Sequence, residues 1–290
     1  MAQPLGPGDA RRAALLLTPA YLWLTAAVFL PLSAMLFFSL LSDAPFRGAD
    51  WRFTLDNYRA FFATDVYATL LWKSLRLGLT VTALCVVIGF PCAWVLAKTI
   101  RGRAREALFL LIILPFWSNS LVRVFSWAIV LRGNGALDWL AGLFSSGDVR
   151  LGLLFTPTAV VIGLVHSYLP YVILTTYLAL QAIDDTLIEA ARSMGADRRT
   201  IFRRLVLPLS LPGLAAGAVL VFVPVVGSFM EPRILGGRFG AYFGTVIEDQ
   251  FVAVFNWPLG AALSFILLAV VLAILSAAAP VLRRAQGAAA

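Results

Sequence analysis

The sequence predicts an all-α membrane protein, a bundle of six transmembrane helices with both termini in the cytoplasm. Three observations carry that prediction: an apolar excess beyond the soluble range, six apolar runs of spanning length, and basic residues gathered in alternate connections. Of 290 residues, 61% are apolar or aromatic and 13% charged, with a mean hydropathy of +0.89; soluble domains hold about 45–50% and about 25%. A spanning helix needs roughly 20 apolar residues. Six stretches qualify: Leu15 to Leu41, Leu75 to Ala97, Ala107 to Leu131, Thr158 to Leu180, Leu209 to Met230, and Leu259 to Leu282. Residues 13–285 therefore read as one transmembrane domain, with residues 1–12 and 286–290 as tails.

The net charge of +8 would raise the question of nucleic acid in a soluble protein. Here its placement decides otherwise. Arg11 and Arg12, the group Lys98, Arg101, Arg103 and Arg105, the group from Arg192 to Arg204, and Arg283 with Arg284 all fall on one side of successive spans. Short loops rich in Lys and Arg stay in the cytoplasm. Both termini and the connections after the second and fourth spans are thus cytoplasmic, and the basic excess is a topology signal rather than a nucleic-acid footprint.

The first run follows Arg11 and Arg12 but exceeds the roughly 7–15-residue apolar core of a signal peptide, so it reads as a retained helix. Cys85 and Cys92 share the second span seven residues apart, a rise of roughly 10 Å that rules out a mutual disulfide. Longer outer connections run from Ser42 to Ser74, Arg132 to Pro157 and Glu231 to Pro258. In the first of these, Trp51 to Phe62 is aromatic enough either to lie in the membrane interface or to pack on the bundle. Pro31, Pro91, Pro115, Pro170, Pro212 and Pro224 fall within spans; such positions read as kinks, or as breaks beside a water-lined cavity.

The third span holds Trp117, Ser118-Asn119-Ser120 and Arg123. A charge at that depth either faces an aqueous path or snorkels to the interface. His166, the single histidine, reads as a packed, hydrogen-bonded residue rather than a metal ligand. Trp117 and Trp127 line a path or join an aromatic belt, and Trp257 belongs to the belt.

The connection from Gln181 to Pro208 has its own local chemistry. Thr186 and Glu189 have the spacing of a capping box, which starts a helix. Ala190 and Ala191 continue it, Gly195 offers the left-handed position that ends it, and Asp197 can cap a second short helix running to Pro208. Asp184-Asp185 is helix-start chemistry. Adjacent alanines on an exposed, arginine-flanked helix leave room for another protein to approach; a plain connector is the bland alternative.

Glu189-Ala190-Ala191, three residues, Gly195, nine residues and Leu205-x-Leu207-Pro208 resemble the signature of inner-membrane permeases of type I ABC importers, with Leu205 in place of the usual isoleucine. The likeness runs from about Leu70 to Leu282 and is strongest to the membrane subunits of spermidine/putrescine importers, through Leu114 to Trp127, Phe155 to Gly163, Leu235 to Gly237 and Asn256 to Pro258. It implies a six-helix subunit paired with a second, similar permease, a heterodimer, with two cytoplasmic ATPases and an extracytoplasmic substrate-binding protein. Residues 181–208 would then hold the coupling helix, with Glu189, Ala190, Ala191, Arg192, Gly195, Arg198, Leu207 and Pro208 transmitting nucleotide-driven closure to the bundle. ATP and Mg²⁺ would sit on the partner ATPases, because this chain lacks a Gly-Lys-Ser/Thr phosphate loop: its lysines are Lys73, after Trp72, and Lys98, after Ala97.

For substrate, a polyamine calls for carboxylates and aromatic faces. Candidates along the path are Trp117, Asn119, Arg123, Ser228, Phe229 and Glu231. Some polyamine permeases carry acids where this chain has Ser228 and Arg233, and Arg233 adds a cation that an opine or amino-acid-derived cargo would tolerate better. Glu248-Asp249 reads as an outer docking or solvated patch. A membrane enzyme would need converging histidines, acids or cysteines; an ion-coupled transporter would be expected to show repeated halves and buried acids. The sequence supplies neither pattern, and no cofactor or metal site is expected in the chain itself.

Overall fold

The computed structural model describes residues 7–44, 50–144 and 151–287, and these residues are overwhelmingly helical. In chain order the helices are α1 (Pro7–Ser39), α2 (Asp56–Ala63), α3 (Asp65–Trp94), α4 (Arg103–Trp117), α5 (Ser120–Leu131), α6 (Ala136–Leu143), α7 (Pro157–Gln181), α8 (Asp185–Ser193), α9 (Arg198–Ile201), α10 (Leu207–Val226), α11 (Met230–Leu235), α12 (Phe243–Val252) and α13 (Trp257–Gly287). Five are, alone or with a π-helical continuation, long and apolar enough to cross a membrane; a sixth crossing requires α4 and α5 to act together. The chain forms two compact units, one of residues 1–63 with 249–266, the other of residues 64–248 with 267–290.

In the first unit α1 is exposed along most of residues 15–37: Leu16 and Trp23 are 81% and 74% accessible. Its C-terminal end is closed by the segment that follows. Asn57 Nδ2 donates to the carbonyls of Ser39 and Leu41 at 3.1 and 2.7 Å, groups that a helix end leaves without intrahelical partners. Tyr58 shares a hydrogen bond with Ser39, and Phe37, Trp51 and Phe53 meet edge to face. The aromatic segment Trp51 to Phe62 is thus packed on the end of α1.

The second unit is built on α3, α7 and α10, which pack on one another around the fully buried Val81, Leu164, Val172 and Val221. Gly213 and Gly217 set the α7–α10 approach. A Cβ on Gly217 would lie 2.4 Å from Thr175 Oγ1, and one on Gly213 2.5 Å from the Thr175 carbonyl. This small-xxx-small spacing lets helices meet closely where lipid provides no hydrophobic drive for association.

The second span is longer than its apolar run. It reaches from Asp65 to Thr99, ten residues earlier than Leu75, and Lys73 in this added part donates to the Phe239 and Ala241 carbonyls at 2.8 Å each. The fifth likewise runs continuously from Arg198 to Val226, so the second short helix expected after Asp197 is instead the start of that span. Pro208 has no N–H to give the Arg204 carbonyl, and the turn before it widens into a π-helix, Phe202–Val206. A second π-helical turn, Val95–Thr99, ends the α3 span; Phe202 contacts Trp94 and Phe90 edge to face.

The third run is not one helix. α4 and α5 are bent 99° apart at Ser118 and Asn119, both of extended backbone. Asn119 Oδ1 accepts the Leu121 N–H at 2.8 Å and so caps α5. The Pro115 carbonyl receives Ser118 Oγ at 2.8 Å and Arg123 Nη1 at 3.0 Å. Pro31, Pro91, Pro170 and Pro212 sit within helices that continue through them, whereas Pro115 and Pro224 each lie two residues before a break, at the end of α4 and of α10. Both cysteines are free, as their separation requires.

Candidate functional site

Two places gather the residues singled out by sequence: the α8–α9 segment at the basic end of the second unit, and the hook formed by Gly227 to Leu235.

At the basic end, α8 is started by Asp184, whose Oδ1 accepts the Thr186 N–H at 3.0 Å. The capping box of Thr186 and Glu189 does not form, because the helix begins one residue before Thr186 and the aspartate takes the capping role. That bond, chiefly to the Thr186 backbone N–H, holds the Asp184 carboxyl below its usual pKa range. Asp185 is also lowered, first by its hydrogen bond from Lys98, which spans 2.7 Å and is matched by a second Lys98 bond to the Ile183 carbonyl at 2.7 Å. Lys98 therefore ties the end of the second span to the start of α8.

The helix closes as Gly195 predicted. Gly195 has φ +85°, its N–H reaches the Arg192 carbonyl, and the Ala196 N–H reaches the Ala191 carbonyl at 3.0 Å, the two bonds of a Schellman motif. Asp197 then accepts the Thr200 N–H at 3.2 Å and caps α9; its hydrogen bonding to Thr200 lowers its carboxyl pKa as well.

These caps fix which face of α8 looks outward. Ile188 and Ala191 turn in, against a cluster containing Tyr177, Leu180, Ile183 and Ile201. Ala190 is exposed, and so are Leu187 and Met194, at 48% and 81%. At i, i+3 and i+7 these three form one apolar stripe. Leu187 and Met194 were missed by motif reading, although their helical period was there to be counted. Glu189, Arg192 and Arg198 lie elsewhere, on the wall of a cavity beside the helix. Leu207 and Pro208 are half-buried at the start of α10.

At the hook, Ser228 and Glu231 are both buried, and Ser228 Oγ donates to Glu231 Oε2 at 2.9 Å. Glu231 makes no ion pair among the described residues. Arg233 does, with Glu248, so its charge is met at once and Glu248 is not a free solvated acid. Phe229 precedes α11, with its ring partly exposed. α11 packs on α5 and α7, the helices that carry Arg123 and Tyr168. Tyr168 stacks with Tyr171, which in turn meets Phe116 edge to face at 4.6 Å.

The bend between α4 and α5 holds a cavity of about 500 Å³ lined by Pro115, Ser118, Arg123, Ser126, Trp127 and His166. His166 is exposed and meets the Trp127 ring at 5.4 Å, so it lines a space instead of filling the core. Asn119 serves as the α5 cap, and Trp117 is 87% exposed at the end of α4. No group of three or more potential metal ligands occurs among the described residues.

Residues 86–286 match the family model described as the binding-protein-dependent transport system inner membrane component. The chain belongs to that family. Its relatives include the spermidine/putrescine transport system permease protein PotB of Escherichia coli, 39% identical over 84% of this chain and 88% of the relative. The PotB of Haemophilus influenzae is 36% identical over 83% and 84%. Among solved structures, a bacterial ABC transporter involved in import of the acidic polysaccharide alginate superposes with TM-score 0.73 at 18% identity, covering 96% of this chain and 98% of that one. A methionine ABC transporter gives 0.59 at 20% identity over 76% and 96%. Membership makes this chain an inner-membrane transport component, and the fold of the ABC permeases is its fold.

Proposed function

We propose that this chain is one of two permease subunits of an ATP-driven importer for polyamines of the spermidine/putrescine class. Identity of 39% over most of its length to a spermidine/putrescine permease carries the reading. The hook supports it: just past the end of the fifth span, a buried carboxylate that is hydrogen-bonded to a hydroxyl and has no ion pair among the described residues is a site for a cation. Arg233, the cation that an opine or amino-acid-derived cargo would tolerate better, is offset by its pairing with Glu248. Glu231 would bind one ammonium group, and the rings of Tyr168 and Tyr171 would offer faces to the next. Asn119 and Arg123 shape the wall by holding the α4–α5 bend.

Energy comes from elsewhere. Two cytoplasmic ATPases, holding ATP and Mg²⁺, grip α8 of this subunit and its counterpart in a second, similar permease, and a binding protein delivers cargo from outside. The basic end, and with it both termini, faces the cytoplasm. The Leu187–Ala190–Met194 stripe enters the ATPase groove, Gly195 and Asp197 fix the angle between α8 and the fifth span, and Arg198, Leu207 and Pro208 pass the displacement on. ATP-driven closure pushes the coupling helices together and opens the bundle outward; hydrolysis resets it.

The test is uptake of labelled spermidine into proteoliposomes carrying the assembled importer. Glu231→Gln should lower uptake about a hundredfold while ATPase assembly persists, and Arg233→Gln should lower it far less. Equal uptake by wild type and Glu231→Gln would exclude the carboxylate as a cargo ligand.

A further inference from the structure

Behind α8, on the side away from the apolar stripe, lies a cavity of about 400 Å³. Asp185, Ile188, Glu189 and Arg192 recur at i, i+3, i+4 and i+7, the opposite face of the helix from Leu187, Ala190 and Met194. The cavity's other walls are the end of the second span, with Trp94, Lys98 and Arg101, and the start of the fifth, with Arg198 and Phe202. Lys98 is satisfied by Asp185. Arg101, Arg192 and Arg198 have no ion pair and no side-chain hydrogen bond among the described residues, and Glu189 is the single acid left against them. The cavity thus holds three uncommitted guanidinium groups, a net excess of cation, and an aromatic wall in which Trp94 and Phe202 meet edge to face at 5.9 Å.

Guanidinium groups match phosphate oxygens in geometry as well as charge, and basic pockets between transmembrane helices on the cytoplasmic side bind anionic headgroups. We infer that this cavity is a binding site for a phosphate-bearing anion, with the headgroup of an anionic lipid as its source. A space of this volume suits a phosphoglycerol group better than a lone inorganic ion, and the aromatic wall at the end of a span suits the first carbons below a headgroup. A headgroup seated there would brace α8 from behind, opposite the stripe, and so set the register in which that helix meets its partner. The side of the membrane rests on the topology proposed above; the site itself does not depend on transport or on the identity of the cargo.

The full-length chain, purified within its transporter complex, is exchanged into mixed phosphatidylglycerol and phosphatidylcholine, and the lipid it retains is counted by native mass spectrometry. Wild type should retain phosphatidylglycerol preferentially. Removing positive charge by R101Q, R192Q and R198Q together should cut that preference about a hundredfold, on the order of fivefold for each arginine. R199Q with R203Q and R204Q, which removes as much charge from the neighbouring basic depression, should leave the preference within about twofold of wild type. Retention that survives millimolar glycerol phosphate assigns the lipid; saturable, arginine-dependent binding of glycerol phosphate without lipid preference assigns a soluble anion to the same site. No preference and no glycerol phosphate binding, or equal loss in both triple variants, would overturn the inference.

Discussion

Two interruptions of helix, one at Asp184 and one at Asn119, use the same device in opposite surroundings. Each places a short polar side chain at a helix start, and each side chain accepts the N–H two residues on. Around Asp184 the flanking residues are polar and the break lies outside the spans, so water can meet any group left over. Around Asn119 the two flanking serines sit between apolar helices, and the break must satisfy its own backbone. That is why the Pro115 carbonyl draws both Ser118 and, from eight residues away, Arg123. The cap is the cheap part of a bend in lipid; the distant donor is what makes it tolerable.

The contrast is broken most directly at the basic segment's other end. A Cβ on Gly195 would meet nothing within 4 Å, so only its φ of +85° forbids a side chain. A β-branched residue there costs about 1–3 kcal/mol of backbone strain, which α8 can escape by changing its exit angle. Gly195→Val should leave ATP hydrolysis in the assembled complex but reduce coupled uptake at least tenfold; Gly195→Asn, which tolerates the left-handed region, should retain most of it. If both variants behaved alike, the backbone angle would not be what matters.

A smaller effect is expected at the bend. Asn119→Ala removes one cap, about 1 kcal/mol, and should lower the thermal unfolding midpoint by a few degrees. Arg123→Met should cost more, because the Pro115 carbonyl then loses its distant donor. The reverse order would mean that local capping, not the long-range donor, sustains the bend.

The smallest effect concerns pH. Hydrogen bonding from Lys98 depresses the Asp185 carboxyl below its ordinary value of 3.8. A depressed pKa contributes stability that is present above the unfolded value and is lost as pH falls through the folded one. The tie should therefore be constant from neutral pH down to about pH 4 and fade only below it. Asp185→Asn should abolish that acid-side fading, as read by proteolysis of residues 181–198 between pH 3 and 7.

The same contrast explains what could be read beforehand. Asp197, Gly195 and the Glu189-Ala190-Ala191 signature were legible because caps and left-handed turns are decided within a few residues. The six apolar runs were legible because spanning length is a property of composition. The bend was not, since the spanning length of the mostly apolar stretch from Ala107 to Leu131 masks a cap that sits inside it. Nor was the pairing of Arg233, whose partner Glu248 is fifteen residues away, or the Lys98 anchor, whose partners are on another helix. Thr186 and Glu189 have the right spacing for a capping box, but Asp184, two residues earlier, takes the cap. Ala190 and Ala191, read as a pair, point to different sides because adjacent residues on a helix are about 100° apart.

The central claim is that α8 is gripped through its outward stripe by a separate motor. A photoreactive amino acid placed at Met194, the most exposed member of that stripe, tests it in the assembled importer within native membranes. The account predicts a crosslink to the ATPase subunit whose yield changes when ATP is added and hydrolysis is blocked. A crosslink to lipid alone, or one to the ATPase that is equally strong from a probe at Ile188 on the inner face, would contradict it.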